Sequence, residues 1–198
     1  SGMSFDGSFA DITSSVSFSF DFWMRYKWWT STNFVAIAFH ESLYAAGSTH
    51  QQTEHLFYWG GYGTASGQDA QQFMYSWHSS NGQSGSASDF DPITGSTGSS
   101  NGNGQSWTGN NHWWHIAVTN DASTGTGIRN VYANGTNIWT DTSSYYNSIR
   151  SIYGGTPRLY VGSDPYEDGL NGDIAIARVY KNKILTSSEV LQNFNAEK

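Results

Sequence analysis

The stretch that decides the fold is residues 16–26, which read VSFSFDFWMRY. Apolar side chains occupy every second position, and the positions between them are mostly polar. This period of two is typical of a β-strand that packs one face on a hydrophobic core. The apolar face comprises Val16, Phe18, Phe20, Phe22, Met24 and Tyr26, and the other face comprises Ser17, Ser19, Asp21, Trp23 and Arg25.

Further short runs of the same kind follow, with turn residues between them. They cover residues 34–40, 55–59, 72–78, 113–119, 128–133, 136–140, 158–162 and 173–180. About nine strands in one chain predict an all-β, antiparallel two-sheet sandwich, formed as a single domain over residues 1–198. Ser1 and Gly2 ahead of Met3 are typical of an expression scar.

Two short motifs predict local structure within this plan. Asn134-Gly135 lies between two strand runs and is a type I′ hairpin signal, because both central positions of that turn need positive φ. Thr186-Ser187-Ser188-Glu189 is a capping-box pattern. It predicts a short C-terminal helix over residues 187–195.

The composition excludes several classes of partner. Aromatic residues make up 16% of the chain and charged residues 13%, which favours a folded sandwich over a disordered chain. The net charge is −7, and the nine Lys and Arg residues are scattered, so neither a nucleic acid nor an anionic membrane surface is an expected partner. No apolar stretch approaches the roughly 20 residues of a membrane span, so no membrane insertion is expected. The chain has no cysteine and therefore no disulfide.

Residues 79–111 are rich in Gly, Ser, Asn and Thr, with Asp89, Phe90, Asp91 and Trp107 embedded. A loop of this length within a compact domain is usually functional or mobile. The embedded aromatic and acidic residues favour function, whereas the Gly and Ser content favours mobility. Both interpretations stay open.

Five segments in the second half of the chain bear on its family. They read WWHIAVT (113–119), VYANG (131–135), RLYVG (158–162), LNGDIAIARVY (170–180) and ILTSSEV (184–190). In this order they resemble the laminin-G-like, concanavalin A-like jelly rolls. The resemblance implies a concanavalin A-like sandwich, and carbohydrate binding is the commonest task of that superfamily. It also implies that Trp113 is a core residue.

The resemblance does not extend to catalysis. Hydrolytic members of the superfamily carry Glu-x-Asp-x-x-Glu on one strand, and no glutamate of this chain begins that pattern. Two unrelated carboxylate pairs remain, Glu167 with Asp168 and Asp89 with Asp91. Adjacent carboxylates in loops are usually solvated turn residues rather than an acid–base pair.

No cofactor is expected, and calcium is the one metal that the resemblance raises. Many members hold calcium with a carboxylate five residues before the closing Tyr of the last strand, which here is Ala175. Asp173 with loop oxygens near Asp6 is the alternative ligand set. Zinc is not expected at His112 and His115, since residues three apart on a strand lie on opposite faces.

The chain has more aromatic residues than a core of this size needs. Outward Trp and Tyr rings stack on the apolar faces of sugars, and neighbouring polar groups bind the hydroxyls. We expect residues 58–62, 72–78 and 112–118 to lie side by side in one sheet and form a glycan-binding platform. Its predicted members are Trp59, Tyr62, Trp77, His78, Trp107, His112 and Trp114.

Three functions are compatible with the sequence. The first is a non-catalytic, lectin-like module that binds a neutral or weakly charged glycan in an extracellular or surface-exposed setting. The second is a structural or adhesive module of a surface or virion protein. The third is a glycoside hydrolase or lyase with an atypical carboxylate pair. The sequence contains no signal for the oligomeric state.

Overall fold

A computed structural model describes the chain in segments. They are residues 3–6, 17–26, 34–41, 53–61, 71–78, 84–90, 113–121, 123, 128–142, 157–162, 168–169 and 172–198. The surroundings of side chains are described within residues 17–25, 113–121, 123, 128–140, 142, 159–162 and 172–198.

Strands dominate these segments, and one helix follows the last strand. The elements are β1 (Met3–Asp6), β2 (Phe18–Tyr26), β3 (Phe34–Glu41), β4 (Thr53–Gly61), β5 (Gln71–His78), β6 (Ser84–Phe90), β7 (Trp113–Asp121), β8 (Ile128–Ala133), β9 (Thr136–Asp141), β10 (Pro157–Val161), β11 (Asp168–Gly169), β12 (Gly172–Lys181) and α1 (Ser187–Ala196).

The strands form two sheets. The large sheet has the order β1-β10-β3-β4-β5-β6, with the two-residue β11 parallel to β3. The small sheet has the order β12-β2-β7-β8-β9, and its strand pairs are antiparallel. The prediction of an all-β two-sheet sandwich with a short C-terminal helix is confirmed. Within the segments that the structure describes, no helix is long and apolar enough to cross a membrane.

Each predicted run coincides with a strand, but β1, β6 and β11 were not predicted. The strand β6 lies inside residues 79–111, which the sequence indicated to be one long loop. Its sequence, SGSASDF, lacks apolar alternation, and its pairing with β5 rather than its own pattern defines it as a strand. Residues 79–83 and 91–111 lie outside the described residues.

The alternating apolar residues of β2 lie on the core face of the small sheet, as the sequence predicted. Phe18, Phe20, Phe22 and Met24 of β2 are buried, and the rings of the first three stack in succession with centroids 6.3 and 6.1 Å apart. Their register partners on β7 continue the same face, since Phe22 pairs with Ile116 and Phe20 with Val118. Directly opposed residues of an antiparallel pair share a face, so these rows form one apolar layer.

The opposite face of β2 is buried as well, which the alternation did not predict. Ser19, Asp21 and Trp23 are buried although they lie on the face of β2 opposite the core. The helix α1 and the segment before it cover this outer face. Leu185 and Val190 form a cluster with Ala117 of β7 and Tyr132 of β8, so β2 and β7 are enclosed on both sides.

The helix begins as the sequence predicted. The Thr186 side chain accepts a hydrogen bond from the Glu189 amide at 3.2 Å, and the Glu189 carboxylate accepts one from the Thr186 amide at 2.8 Å. The backbone amide of Thr186, the Lys183 ammonium and the Thr186 hydroxyl together lower the pKa of Glu189 to about 2. The capping box therefore keeps its charge at ordinary pH.

The Asn134-Gly135 hairpin has the predicted backbone and a second role. Asn134 has φ +49° and Gly135 has φ +79°, as a type I′ turn requires. A Cβ atom at Gly135 would lie 2.8 Å from Leu191 Cδ1 and 3.3 Å from Phe194 Cδ1. The absence of a side chain therefore lets α1 pack against the hairpin.

We expect Gly135→Val to lower the free energy of unfolding by about 2–4 kcal/mol, because positive φ and the contact with α1 both oppose a β-branched side chain. Gly135→Asn tolerates positive φ but still adds the Cβ atom, so it isolates the steric part. Denaturant unfolding measures both variants. Gly135→Asn combined with Leu191→Ala should recover part of the loss, and no recovery would contradict the proposed contact.

Candidate functional site

One row of residues crosses three strands at the end of the small sheet. Asp173 of β12 lies directly opposite Arg25 of β2, and Arg25 lies directly opposite Trp113 of β7. Opposed residues of antiparallel strands have their Cβ atoms about 5 Å apart on the same face. The register therefore brings a carboxylate, a guanidinium and an indole together although they are far apart in the sequence.

Arg25 contacts both of its neighbours in this row. Its Nε donates to Asp173 Oδ2 at 2.9 Å, and its Nη2 donates to the same oxygen. Its guanidinium carbon lies 4.9 Å from the centroid of the Trp113 ring, which is a cation–π contact. Asp173 thus orients Arg25, and Arg25 supports one face of the indole.

Trp113 is exposed, which corrects its assignment to the core. Its exposed fraction is 38%, and it is one of the two large hydrophobic residues that are exposed within the described segments. The helix α1 packs on the neighbouring row, where Phe194 stacks on Trp23 and lies beside His115, whereas Trp113 in the next row is exposed.

Trp114 was predicted to face outward, and the structure places it on the core face. Its register partner is the buried Met24, and it alternates in phase with Ile116 and Val118. The sequence contained this signal, because the apolar phase of Ile116 and Val118 extends to Trp114 and leaves Trp113 on the other face.

The predicted single-sheet platform is wrong in its strand arrangement. β4 and β5 are neighbours in the large sheet, but β7 belongs to the small sheet, so Trp114 does not lie beside Trp59 and Trp77. The reason is that sheet partners are chosen by contacts between distant segments, which alternation does not encode.

Within the large sheet the register groups some of the predicted residues. Trp77 of β5 lies opposite His55 of β4, and His55 lies opposite Phe39 of β3. Phe39 in turn lies opposite the buried Leu159 of β10. Trp59 and Trp77 therefore occupy one face of the sheet, the face of Leu159. His78 falls on the opposite face, since neighbouring residues of a strand alternate. Tyr62, Trp107 and His112 lie outside the described residues, and a glycan-binding role of the seven residues stays a prediction.

The calcium prediction concerned Asp173 with oxygens near Asp6. Asp173 pairs with Arg25, and Asp6 belongs to β1 in the other sheet, where it is opposite Arg158. Among the residues that the structure describes, no three His, Asp or Glu side chains cluster closely enough to hold a metal ion.

A buried polar cluster beneath α1 adjoins the exposed row. Asp21, whose side chain is fully buried, accepts hydrogen bonds from Arg178 Nη1 at 3.1 Å and from Asn193 Nδ2 at 2.6 Å. Glu197 accepts hydrogen bonds from Arg178 and from the Trp23 indole, the latter at 2.7 Å. Asn193 and Glu197 belong to the C-terminal segment, so these contacts hold it on the sheet.

His115 lies inside the same cluster. It is buried, its ring centroid is 5.4 Å from that of Trp23, and its Nε2 is 3.8 Å from Asp21 Oδ2. That distance is too long for a hydrogen bond, and neither ring nitrogen has a hydrogen-bond partner. His115 is therefore a packed residue of this cluster.

The ionisation of Asp21 depends on these neighbours. Burial raises its pKa, but the nearby His115 imidazole, the Asn193 amide and the Arg178 guanidinium outweigh burial and hold the pKa below its usual value. The carboxylate is therefore charged in the folded protein, and its charge is compensated by Arg178.

No protein-family model and no curated protein sequence matches this chain. Solved structures match it over most of its length at low identity. Domain 4 of AbnA, a GH43 extracellular arabinanase from Geobacillus stearothermophilus in complex with arabinotriose, superposes with a TM-score of 0.57 at 19% identity over 96% of this chain and 71% of that chain.

Two further structures extend this comparison. A putative carbohydrate-binding protein from Bacteroides ovatus has a TM-score of 0.57 at 14% identity, over 96% of this chain and 43% of that one. The binding domain of botulinum neurotoxin DC, in complex with SialylT, superposes with a TM-score of 0.55 at 15% identity. This match covers 93% of this chain and 36% of that one. The chain thus spans less than half of these two proteins. At such identities the likeness establishes the fold, a jelly-roll sandwich of the concanavalin A-like type.

The Asp21 cluster predicts a stability that falls with acid. A carboxyl group with a lowered folded pKa contributes stability above its unfolded pKa of about 3.9, and this contribution is lost as pH falls toward the folded value. Asp21→Asn should lower the free energy of unfolding at pH 7 by about 1–3 kcal/mol. It should also flatten the pH dependence below about pH 4, relative to wild type.

Chemical denaturation between pH 2 and pH 7 tests this expectation. Asp121→Asn is the matched control, because Asp121 is an aspartate of the same sheet whose described partners are the backbone and hydroxyl of Ser123. Equal acid profiles for the wild type and Asp21→Asn would show that the cluster does not hold the helix.

Proposed function

We propose that the protein is a non-catalytic, lectin-like module that binds neutral or weakly charged oligosaccharides, with the outward ring of Trp113 as the stacking surface. The observation that carries this proposal is an exposed indole supported from one side by a fixed guanidinium. An exposed aromatic ring loses little conformational entropy on binding when its orientation is already held.

The chemistry of the row suits a sugar. The indole offers an apolar face for the C–H face of a pyranose or furanose ring, while Arg25 and Asp173 offer hydrogen-bond donors and acceptors for hydroxyl groups at its edge. Only part of a sugar is buried on an open sheet end, so we expect the affinity to be low.

The similar structures support the class of ligand. The arabinanase domain is in complex with arabinotriose, and the neurotoxin binding domain is in complex with SialylT. We infer that this chain belongs with the laminin-G-like branch of these domains on the five sequence segments named above. An extracellular or surface-exposed setting, which gives access to glycans, is part of the same proposal.

The absence of turnover rests on the sequence. The Glu-x-Asp-x-x-Glu pattern of the hydrolytic members has no counterpart in this chain. Incubation with polysaccharides should release no reducing sugar, with and without calcium. Measurable release would favour the glycosidase alternative, and retention of protein partners without any glycan would favour the adhesive one.

Trp113→Ala should weaken oligosaccharide binding by at least about tenfold, as expected of an aromatic anchor. It should change the free energy of unfolding by less than about 1 kcal/mol, because the residue is a surface position rather than a core one. A glycan array followed by titration of tryptophan fluorescence measures binding, and denaturant unfolding measures stability.

Leu191→Ala is the matched control, because Leu191 is the other large exposed hydrophobic residue within the described segments, at 46%. It should bind like the wild type. Glycan binding that survives in Trp113→Ala would contradict the stacking role of Trp113, and the predicted residues Trp107 and His112, which lie outside the described residues, would be tested next.

A further inference from the structure

We propose that Asp173 is a specificity-determining residue, which neutralises Arg25 beside the Trp113 ring and thereby restricts this site to uncharged sugars. The inference rests on the proposed function and deepens it by naming the class of saccharide. It concerns a residue pair that the sequence did not single out for binding.

The first step is the position of the guanidinium. The guanidinium carbon of Arg25 lies 4.9 Å from the centroid of the Trp113 ring. A sugar stacked on this ring could therefore contact Arg25 through substituents that extend past the edge of the indole. An uncompensated arginine at such a place is a strong ligand for carboxylates, because its planar fork matches their two oxygens. A site with a free Arg25 would therefore prefer uronic or sialic acids.

The second step is that Asp173 already occupies this guanidinium. Nε and Nη2 of Arg25 both donate to Oδ2 of Asp173, and the two residues are direct partners in the β12–β2 ladder. The backbone register keeps the two residues side by side. A sugar carboxylate can bind only the other N–H groups of the guanidinium, beside the Asp173 carboxylate, where it meets the repulsion of that like charge.

The third step concerns the surroundings of the pair. The side chains of Arg25 and Asp173 are 31% and 32% exposed, so two thirds of each is shielded from water. Partial shielding strengthens the interaction relative to a fully solvated pair. The net charge of −7 adds a repulsion of acidic sugars that salt weakens, whereas the local effect of Asp173 is less sensitive to salt.

The experiment uses the full chain and matched pairs of probes. Acidic oligosaccharides, such as tetragalacturonate, are arrayed beside their carboxyl-reduced neutral forms, which differ only at C6. Binding is measured for the wild type, Asp173→Asn and Asp173→Asn combined with Arg25→Gln. Asp121→Asn is the control, since it removes the same charge at the opposite end of β7, about 25 Å from Trp113 along the strand.

The wild type should bind the neutral member of each pair more tightly. Asp173→Asn should raise the ratio of acidic to neutral binding by about fivefold, the scale of one exposed ion pair. The added Arg25→Gln should cancel this gain, and Asp121→Asn should leave the ratio unchanged. A ratio that stays constant in Asp173→Asn, or a wild type that prefers the acidic members, overturns the inference while the proposed function stands.

Arg25→Gln alone tests the same inference if Asp173→Asn does not fold, as judged by circular dichroism. It removes the positive charge of Arg25 from the site, so the ratio of acidic to neutral binding should fall below that of the wild type. An unchanged or increased ratio overturns the inference. A folded wild type that binds no arrayed glycan overturns the inference together with the proposed function.

Discussion

Burial of β2 on both of its faces is the constraint on which the described part of the small sheet depends. One face carries the phenylalanine ladder of the core, and the other lies under α1 with Asp21 at its centre. A fully buried carboxylate is costly unless its charge is compensated and its oxygens accept hydrogen bonds. Arg178 from β12 and Asn193 from α1 meet both requirements, so the strand, its neighbour and the helix stabilise one another.

The C-terminal helix also covers part of the outer face of the small sheet. Its beginning is set by the capping box at Thr186, and its packing is set by the contact of Leu191 with the Gly135 hairpin. The helix and the residues after it bury Trp23, whereas Trp113, in the neighbouring row with Arg25 and Asp173, is exposed.

This exposed row combines an apolar surface with a pair of opposite charges. Stacking on an indole is tolerant of the kind of sugar, because most sugar rings have an apolar face. Selectivity must then come from the groups at the edge of the ring. In this protein those groups are an arginine and an aspartate that neutralise each other, which is consistent with a site for uncharged saccharides in an acidic protein.

Several features of this protein could be predicted from the sequence because they depend on neighbouring residues. The period of two in VSFSFDFWMRY predicted β2, Asn134-Gly135 predicted the hairpin, and the pattern of Thr186 and Glu189 predicted the start of α1. Each is a local preference of the backbone or of a side chain for a particular conformation.

Other features were decided only by the tertiary structure. Alternation placed Trp113 and Trp114 on opposite faces, but only the tertiary structure decided how much of Trp113 remains exposed on the face that α1 partly covers. The strand β6 has no pattern of its own and exists through its pairing with β5, and β7 joined β2 rather than β5. The physical reason is that sheet pairing and helix docking are contacts between segments distant in the chain. Their energy depends on shape and burial, which no short stretch of sequence contains.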